Sequence, residues 1–320
     1  MAAIVMYRGL MRDKRHWEGF QEHLQNKLSG RHQVYAFDTL GNGELNKEAS
    51  PLQIGGYLPT LAEQLSQIEQ KQIYLLGLSM GGMLLLELAA WLQLGKNDSE
   101  VQVAKGQGSS FQADKLKLSQ DQAKVLALLA DKQFCGIAVI NASAANLSPW
   151  YARFQLKQLL TGFSQRLKGH YVAHQPRAIA QVDNSGIMKN AHEDSLKVTK
   201  QQAIKPLNTI EATVLAVTST KYRQSGEIIA RWSEYRKAYS TSLRNGIRQL
   251  IACNRFNAQA FNLPLTVLNG LDDKLVNPSC SAALASYYNV PLQTFEHAGH
   301  DLSLDSAEAL AEMLLRVWQL

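Results

Sequence analysis

The stretch Gln72-Ile73-Tyr74-Leu75-Leu76-Gly77-Leu78-Ser79-Met80-Gly81-Gly82-Met83-Leu84 decides the fold. Its first six residues are a short apolar run closed by glycine, which reads as a buried strand over 72–77. From Met80 to Leu94 the chain stays apolar, with Glu87 its one charge, and reads as a helix over 80–94. Between the two lies G-x-S-x-G, as Gly77, Ser79 and Gly81. Such a match arises by chance in about one in ten chains of this size. The strand before it and the helix after it give this one its weight, because they are the setting of a nucleophile elbow. A strand that turns at once into a helix places Ser79 on a strained bend. Glycine is needed on either side because neighbouring backbone comes too close for a Cβ. The serine then stands at a helix N-terminus, where the dipole favours developing negative charge.

Working outward, apolar runs predict further strands over 3–7, 33–38, 135–141, 263–269 and 292–296. Helical spacing appears over 54–67, with Leu58, Leu61 and Leu65 on one face, and over 307–318. Strands alternating with helices predict an α/β fold, a mostly parallel central sheet flanked by helices and built from right-handed crossovers. Two stretches break the rhythm. Residues 95–132 open with a polar run, Lys96-Asn97-Asp98-Ser99-Glu100, and read as a surface excursion followed by a helix over 119–130. Residues 147–262 carry helical patterns and little strand, punctuated by Pro149, Gly162, Pro176, Gly186 and Pro206. They read as an inserted helical cap, so the expected organisation is a core of 1–146 and 263–320 with a cap of 147–262.

Composition narrows the class. Of the 320 residues 46% are hydrophobic and 19% charged, as in an ordinary soluble globular protein. No run of 18 apolar residues exists, so no membrane span is expected. The opening Met1-Ala2-Ala3-Ile4-Val5-Met6-Tyr7-Arg8 lacks the basic start and long apolar stretch of a signal peptide. Cys135, Cys253 and Cys280 are odd in number and widely spaced, which is neither a disulfide framework nor a metal-ligand pattern. The expectation is a cytoplasmic protein with no cofactor and no metal. A net charge of +6 raises the question of nucleic acid, but no RNP, zinc-finger or Gly-Arg pattern accompanies it. The charge is instead concentrated: residues 147–262 hold seventeen Lys and Arg against six Asp and Glu, +11, which leaves −5 elsewhere. A cap of one sign steers acidic ligands toward a cleft.

A serine nucleophile needs a base, and the base needs an orienting acid. After the fifth predicted strand comes Asn269-Gly270-Leu271-Asp272-Asp273-Lys274-Leu275-Val276, and after the last comes Glu296-His297-Ala298-Gly299-His300-Asp301. Together with the elbow, these stretches resemble the α/β-hydrolase superfamily, in which the order along the chain is Ser, acid, His. The resemblance implies Asp273 as the acid, through G-x-x-D-x-x-V, with its neighbour Asp272 the competing choice. It implies His300 as the base, through G-H-D, and leaves His297 a structural place at the strand end. It also implies an oxyanion hole of two backbone N–H groups, those of Met80 and of Leu10 in Arg8-Gly9-Leu10. The superfamily usually has His-Gly-x there, with an aromatic residue later, here Trp17. Arg8 is thus a departure, either propping the loop as that histidine does or facing an acidic substrate. Asp38, in Asp38-Thr39-Leu40-Gly41-Asn42-Gly43, resembles the family's D-x-x-G-x-G and reads as turn chemistry.

The superfamily hosts esterases, thioesterases, acyltransferases, C–C hydrolases and cofactor-free haloperoxidases, and fold does not choose among them. The expected function is hydrolysis of a carboxylic ester or thioester through an acyl-enzyme on Ser79. The other chemistries on the same triad, and a non-catalytic binding module, stand as alternatives. The expected partner is a small-molecule ester or thioester. The basic cap is similar in charge to that of a family carboxylesterase of biotin synthesis whose acyl chain rides on an acidic carrier protein, which makes such a carrier a second expected partner. Neither nucleic acid nor membrane is expected.

Overall fold

Six strands run parallel in the order β2-β1-β3-β4-β5-β6. They are β1 (Ala2–Tyr7), β2 (Gln33–Phe37), β3 (Gln72–Leu78), β4 (Gln133–Ile140), β5 (Leu265–Gly270) and β6 (Leu292–Phe295). The computed structural model describes residues 1–106, 118–155 and 210–320, the backbone alone over 97–106. Helices cover both faces, which is why the strands read as continuous apolar runs with no alternation. One face packs Val5, Leu75 and Val139 against α2 (Leu58–Ser66) and α3 (Met80–Gly106). The other packs Ile4, Leu76 and Ala138 against α1 (Phe20–Lys27) and the C-terminal helix, whose Leu310, Leu314 and Trp318 are buried. From β1 the chain steps to one side to make β2, then crosses back to make β3 on the other. The carboxyl ends of β1 and β3 therefore flank a topological switch point, the place where open α/β sheets bind ligands.

The predicted excursion at 95–132 begins differently. α3 does not stop at 94 but continues to Gly106, straight through Gly95. That glycine is a packing residue and not a helix stop: a Cβ there would lie 2.7 Å from Leu126 Cδ2 of α4 (Gln120–Leu128). Ser119 starts α4 with a capping box, accepting from the Gln122 amide while the Gln122 side chain accepts from its own. The remainder of the excursion, 107–117, lies outside the described residues.

Between β4 and β5 stand α5 (Trp150–Arg153), α6 (Ile210–Thr218), α7 (Gly226–Tyr239) and α8 (Leu243–Arg255), with no strand among the described residues. Residues 156–209 of the predicted cap, with eight of its seventeen basic residues, lie outside the described residues. Leu215, Ile228, Ile229 and Trp232 form a small core of their own between α6 and α7. Ala252, Cys253 and Phe256, by contrast, join the main core beside the sheet, so the end of α8 packs with the core layer. The last part of the chain holds α9 (Pro278–Tyr287), the short α10 (Leu302–Asp305) and α11 (Ala307–Trp318).

Candidate active site

Ser79 follows β3 directly and has φ +58°, a left-handed conformation that a non-glycine residue adopts only under constraint. The constraint is visible on both sides. Its N–H donates to Ile140 O at 2.8 Å. A Cβ on Gly77 would lie 2.5 Å from the Gly81 backbone, and one on Gly81 would lie 2.2 Å from Tyr7 O. The glycines of the motif are thus places where backbone touches backbone. The bend lifts Ser79 into a cavity of about 250 Å³ that His300 also lines.

His300 lies on the loop after β6. Its Nδ1 is 2.7 Å from Asp273 Oδ2 on the loop after β5. Asp273 Oδ1 accepts from the amides of Leu275 and Val276, at 2.8 and 3.0 Å, so the carboxylate is aimed from behind. Asp273 and His300 are buried, whereas Asp272 is exposed and contributes its backbone N–H to Ala298 O. The acid that meets the histidine is therefore Asp273. His297 is exposed and occupies a turn at φ +55°, away from this pair. Ser79 Oγ and His300 face the same cavity but share no hydrogen bond in this structure. Such contacts are often long without substrate and tighten when it binds.

The loop after β1 passes directly over the serine: a Cβ on Gly9 would sit 3.0 Å from Ser79 Cβ. Among the described residues no acceptor pairs with the N–H of Leu10 or with that of Met80.

Arg8, the departure from the family pattern, is buried, lines the cavity and has its charge met by a carboxylate. Its guanidinium grips Asp301 with two hydrogen bonds of 2.7 and 3.0 Å and donates a third, of 3.3 Å, to Ser303 Oγ. It also lies over the Trp17 ring, 4.9 Å from its centre. Burial alone would raise the Asp301 carboxyl, but the charge and hydrogen bonds of Arg8 outweigh it and hold the group below the usual carboxylate range. The arginine therefore fastens the loop that carries Leu10 to the loop that carries His300.

Asp38 behaves as a turn residue, accepting from the amides of Lys14 and Glu44 at 2.7 and 2.9 Å. Further along the cavity, Glu211 of α6 takes Arg12 at 2.8 Å and Arg236 at 3.2 Å. Burial would raise the Glu211 carboxyl, yet the two guanidiniums bring it below the ordinary range. His16 lines the same wall, and its imidazole is pushed down to about 4 by burial and by the neighbouring Arg12 charge, so it is neutral at pH 7. The cap cations Arg231, Arg236 and Lys237 lie on α7, and each faces a carboxylate: Glu18 and Glu227, Glu211, and Glu234. Arg153 is buried against the last carbonyls of α8, those of Cys253 and Asn254, where a cation offsets the helix dipole.

Three residues that organise the site carry no motif. Asn141, which follows β4 at φ +50°, donates to His300 O at 2.8 Å and accepts from Gly270 N at 3.0 Å. It therefore holds the base loop and the acid loop at once. Asp305 accepts from Gly299 N, Thr220 N, Lys221 N and Ser219 Oγ, joining the end of α6 to the His300 loop. Gln249 of α8 accepts from Met11 N at 2.8 Å. The only signal in the sequence is polarity at a strand end or on an apolar helix face, and it names no partner.

A family model described as the alpha/beta hydrolase family matches residues 8–313. No curated protein sequence matches the chain. Among solved structures, an esterase from Exiguobacterium antarcticum is similar at TM-score 0.59 and 12% identity, over 100% of this chain and 92% of that one. A bromoperoxidase from Bacillus anthracis gives 0.58 and 14%, over 99% and 92%. An enol-lactonase from Burkholderia xenovorans LB400 gives 0.55 and 16%, over 100% and 92%. At these identities the likeness is one of fold.

Proposed function

We propose that this chain, which belongs to the alpha/beta hydrolase family, is a serine hydrolase that cleaves a carboxylic ester or thioester through an acyl-enzyme on Ser79. The observation that carries the reading is the 2.7 Å Asp273–His300 pair, whose histidine lines the same cavity as a serine held at φ +58°. In this account His300 Nε2 takes the proton from Ser79 Oγ as the oxygen attacks the carbonyl carbon. Asp273 on Nδ1 fixes the tautomer and stabilises the imidazolium that forms. The carbonyl oxygen becomes an oxyanion between the N–H groups of Leu10 and Met80. His300 then returns the proton to the leaving alcohol or thiol, and a water activated by the same histidine releases the acid. Losing one such oxyanion donor costs about 10²–10³ in rate.

Leu10, Met83, Val214 and Leu250 give the cavity an apolar wall, which suits an acyl chain. The likenesses to an esterase and an enol-lactonase set the breadth of the test, since both names denote opening of an acyl–oxygen bond. The experiment is a panel of p-nitrophenyl esters, lactones and acyl thioesters, with wild type beside Ser79→Ala. Hydrolysis of an ester or thioester that falls by about 10³ or more in the variant supports the reading. Retained hydrolysis in Ser79→Ala, or none by the wild type on any substrate, overturns it.

A further inference from the structure

We infer that Gln249, on helix α8 of the insertion, is a positioning residue for the oxyanion hole: its side chain holds the Leu10–Met11 peptide so that the Leu10 N–H is left facing Ser79. The inference rests on the serine-hydrolase reading above and adds a role for a residue outside its motifs.

Gln249 is wholly buried. Its Oε1 accepts from Met11 N at 2.8 Å, and its Nε2 donates to Asn42 Oδ1 at 2.9 Å and to Ser50 Oγ at 3.1 Å. The orientation of the amide is determined by its surroundings. Met11 N is a donor and demands the oxygen. With the oxygen so placed, the nitrogen falls toward Asn42 Oδ1, which also accepts from Thr241 Oγ1 at 2.7 Å. One turn earlier, Asn245 accepts from Ser50 N at 3.0 Å and donates to Glu48 O at 2.9 Å. α8 is thereby fixed to the loop after β2, and Gln249 is fixed with it.

The consequence falls on three successive amides. Met11 N is taken by Gln249, and Arg12 N by Gly9 O at 3.2 Å, whereas Leu10 N has no acceptor among the described residues. Met11 has φ +55°, a conformation that an unbranched side chain holds only when its surroundings impose it. On the other side of Gly9, Arg8 is fastened to Asp301. The donor loop is therefore held at two points, to the His300 loop through Arg8 and to the insertion through Gln249. Release of Met11 N would let the 9–12 turn shift as a whole and carry the Leu10 N–H of the preceding peptide with it, and a displacement of about 1 Å costs up to about a hundredfold in rate.

The test uses full-length protein whose wild type has been shown to hydrolyse an ester through Ser79. Wild-type inactivity would overturn the serine-hydrolase reading, while an active wild type indifferent to Gln249 would overturn this inference alone. Gln249→Met keeps the length and loses the hydrogen bonds; Gln249→Glu keeps an oxygen for Met11 N. The readouts are kcat, KM and the Ki of an alkyl trifluoromethyl ketone, which forms an oxyanion-bearing adduct with the serine. Gln249→Met is expected to lower kcat by about ten- to a hundredfold with KM within twofold, and to raise Ki by a similar factor. Gln249→Glu, which restores the Met11 contact but turns an acceptor toward Asn42 Oδ1, is expected to recover part of both. A folded Gln249→Met with unchanged kcat and Ki, or a Gln249→Glu no better than it, overturns the inference. Should Gln249→Met not fold, Asn42→Ala decides: it frees the amide end of Gln249, and parallel losses in kcat and ketone affinity support the inference while unchanged values overturn it.

Discussion

Replacing Asn141 by alanine is expected to weaken the fold and the site together, because one side chain serves two loops. Asn141 is wholly buried, with its Nδ2 on His300 O at 2.8 Å and its Oδ1 on Gly270 N at 3.0 Å and Asn269 Nδ2 at 2.8 Å. Alanine leaves the first two as buried backbone groups without that partner, and each such loss costs about 1–3 kcal/mol. Alanine at φ +50° adds about 1 kcal/mol, since asparagine tolerates the left-handed region better. The sum is roughly 3–7 kcal/mol, a large part of the roughly 5–15 kcal/mol of a typical fold. Urea unfolding at pH 7 measures it. Asn141→Gly removes the backbone strain and should recover about 1 kcal/mol, which separates the two contributions. In the surviving folded protein, kcat/KM for an ester should fall by about ten- to a hundredfold as Asp273 and His300 lose their common support. An alanine variant within about 0.5 kcal/mol of wild type, with full kcat/KM, would refute this reasoning.

Other expectations follow from single contacts. Arg8→Ala leaves Asp301 charged and buried without its partner, and unfolding should show a loss of about 3–5 kcal/mol, whereas Arg8→Lys keeps the charge, gives up the two-pronged grip and should lose less. His16 binds its proton less readily in the fold than in the unfolded chain. Between pH 6.5 and about 4 the unfolded state therefore holds the extra proton, and stability falls as the pH falls through that window. At about 1.4 kcal/mol per pH unit the full loss approaches about 3 kcal/mol by pH 4. Unfolding of His16→Gln followed over the same range should show a shallower acid slope than wild type.

How far the sequence reaches is shown by Ser79 and Asn141. The elbow is local: strand, bend and helix are consecutive, so the glycines that backbone contact requires stand next to the serine they serve. Asp273 and His300 are legible through the resemblance of their stretches to the superfamily's G-x-x-D-x-x-V and G-H-D, each standing just after a strand. α11 was readable to the residue because its apolar face repeats along 307–318. Gly95 misled because a packing glycine and a helix stop are the same letter, and only the approach of Leu126 tells them apart. Arg8 with Asp301, Asn141 with His300, and Gln249 with Met11 are pairings across 293, 159 and 238 residues. Nothing local in the chain records them. The charge split was readable too, but not that Arg231, Arg236 and Lys237 each meet a carboxylate.

The central claim, that Ser79 is the nucleophile activated by His300, is tested most directly by its reaction with an alkyl fluorophosphonate followed by mass spectrometry. Attack by Ser79 Oγ forms an O–P bond and expels fluoride. The account expects one adduct per chain on the peptide containing Ser79, absent from Ser79→Ala and formed far more slowly in His300→Ala. No adduct on the wild type, or an adduct that persists in Ser79→Ala, would contradict it.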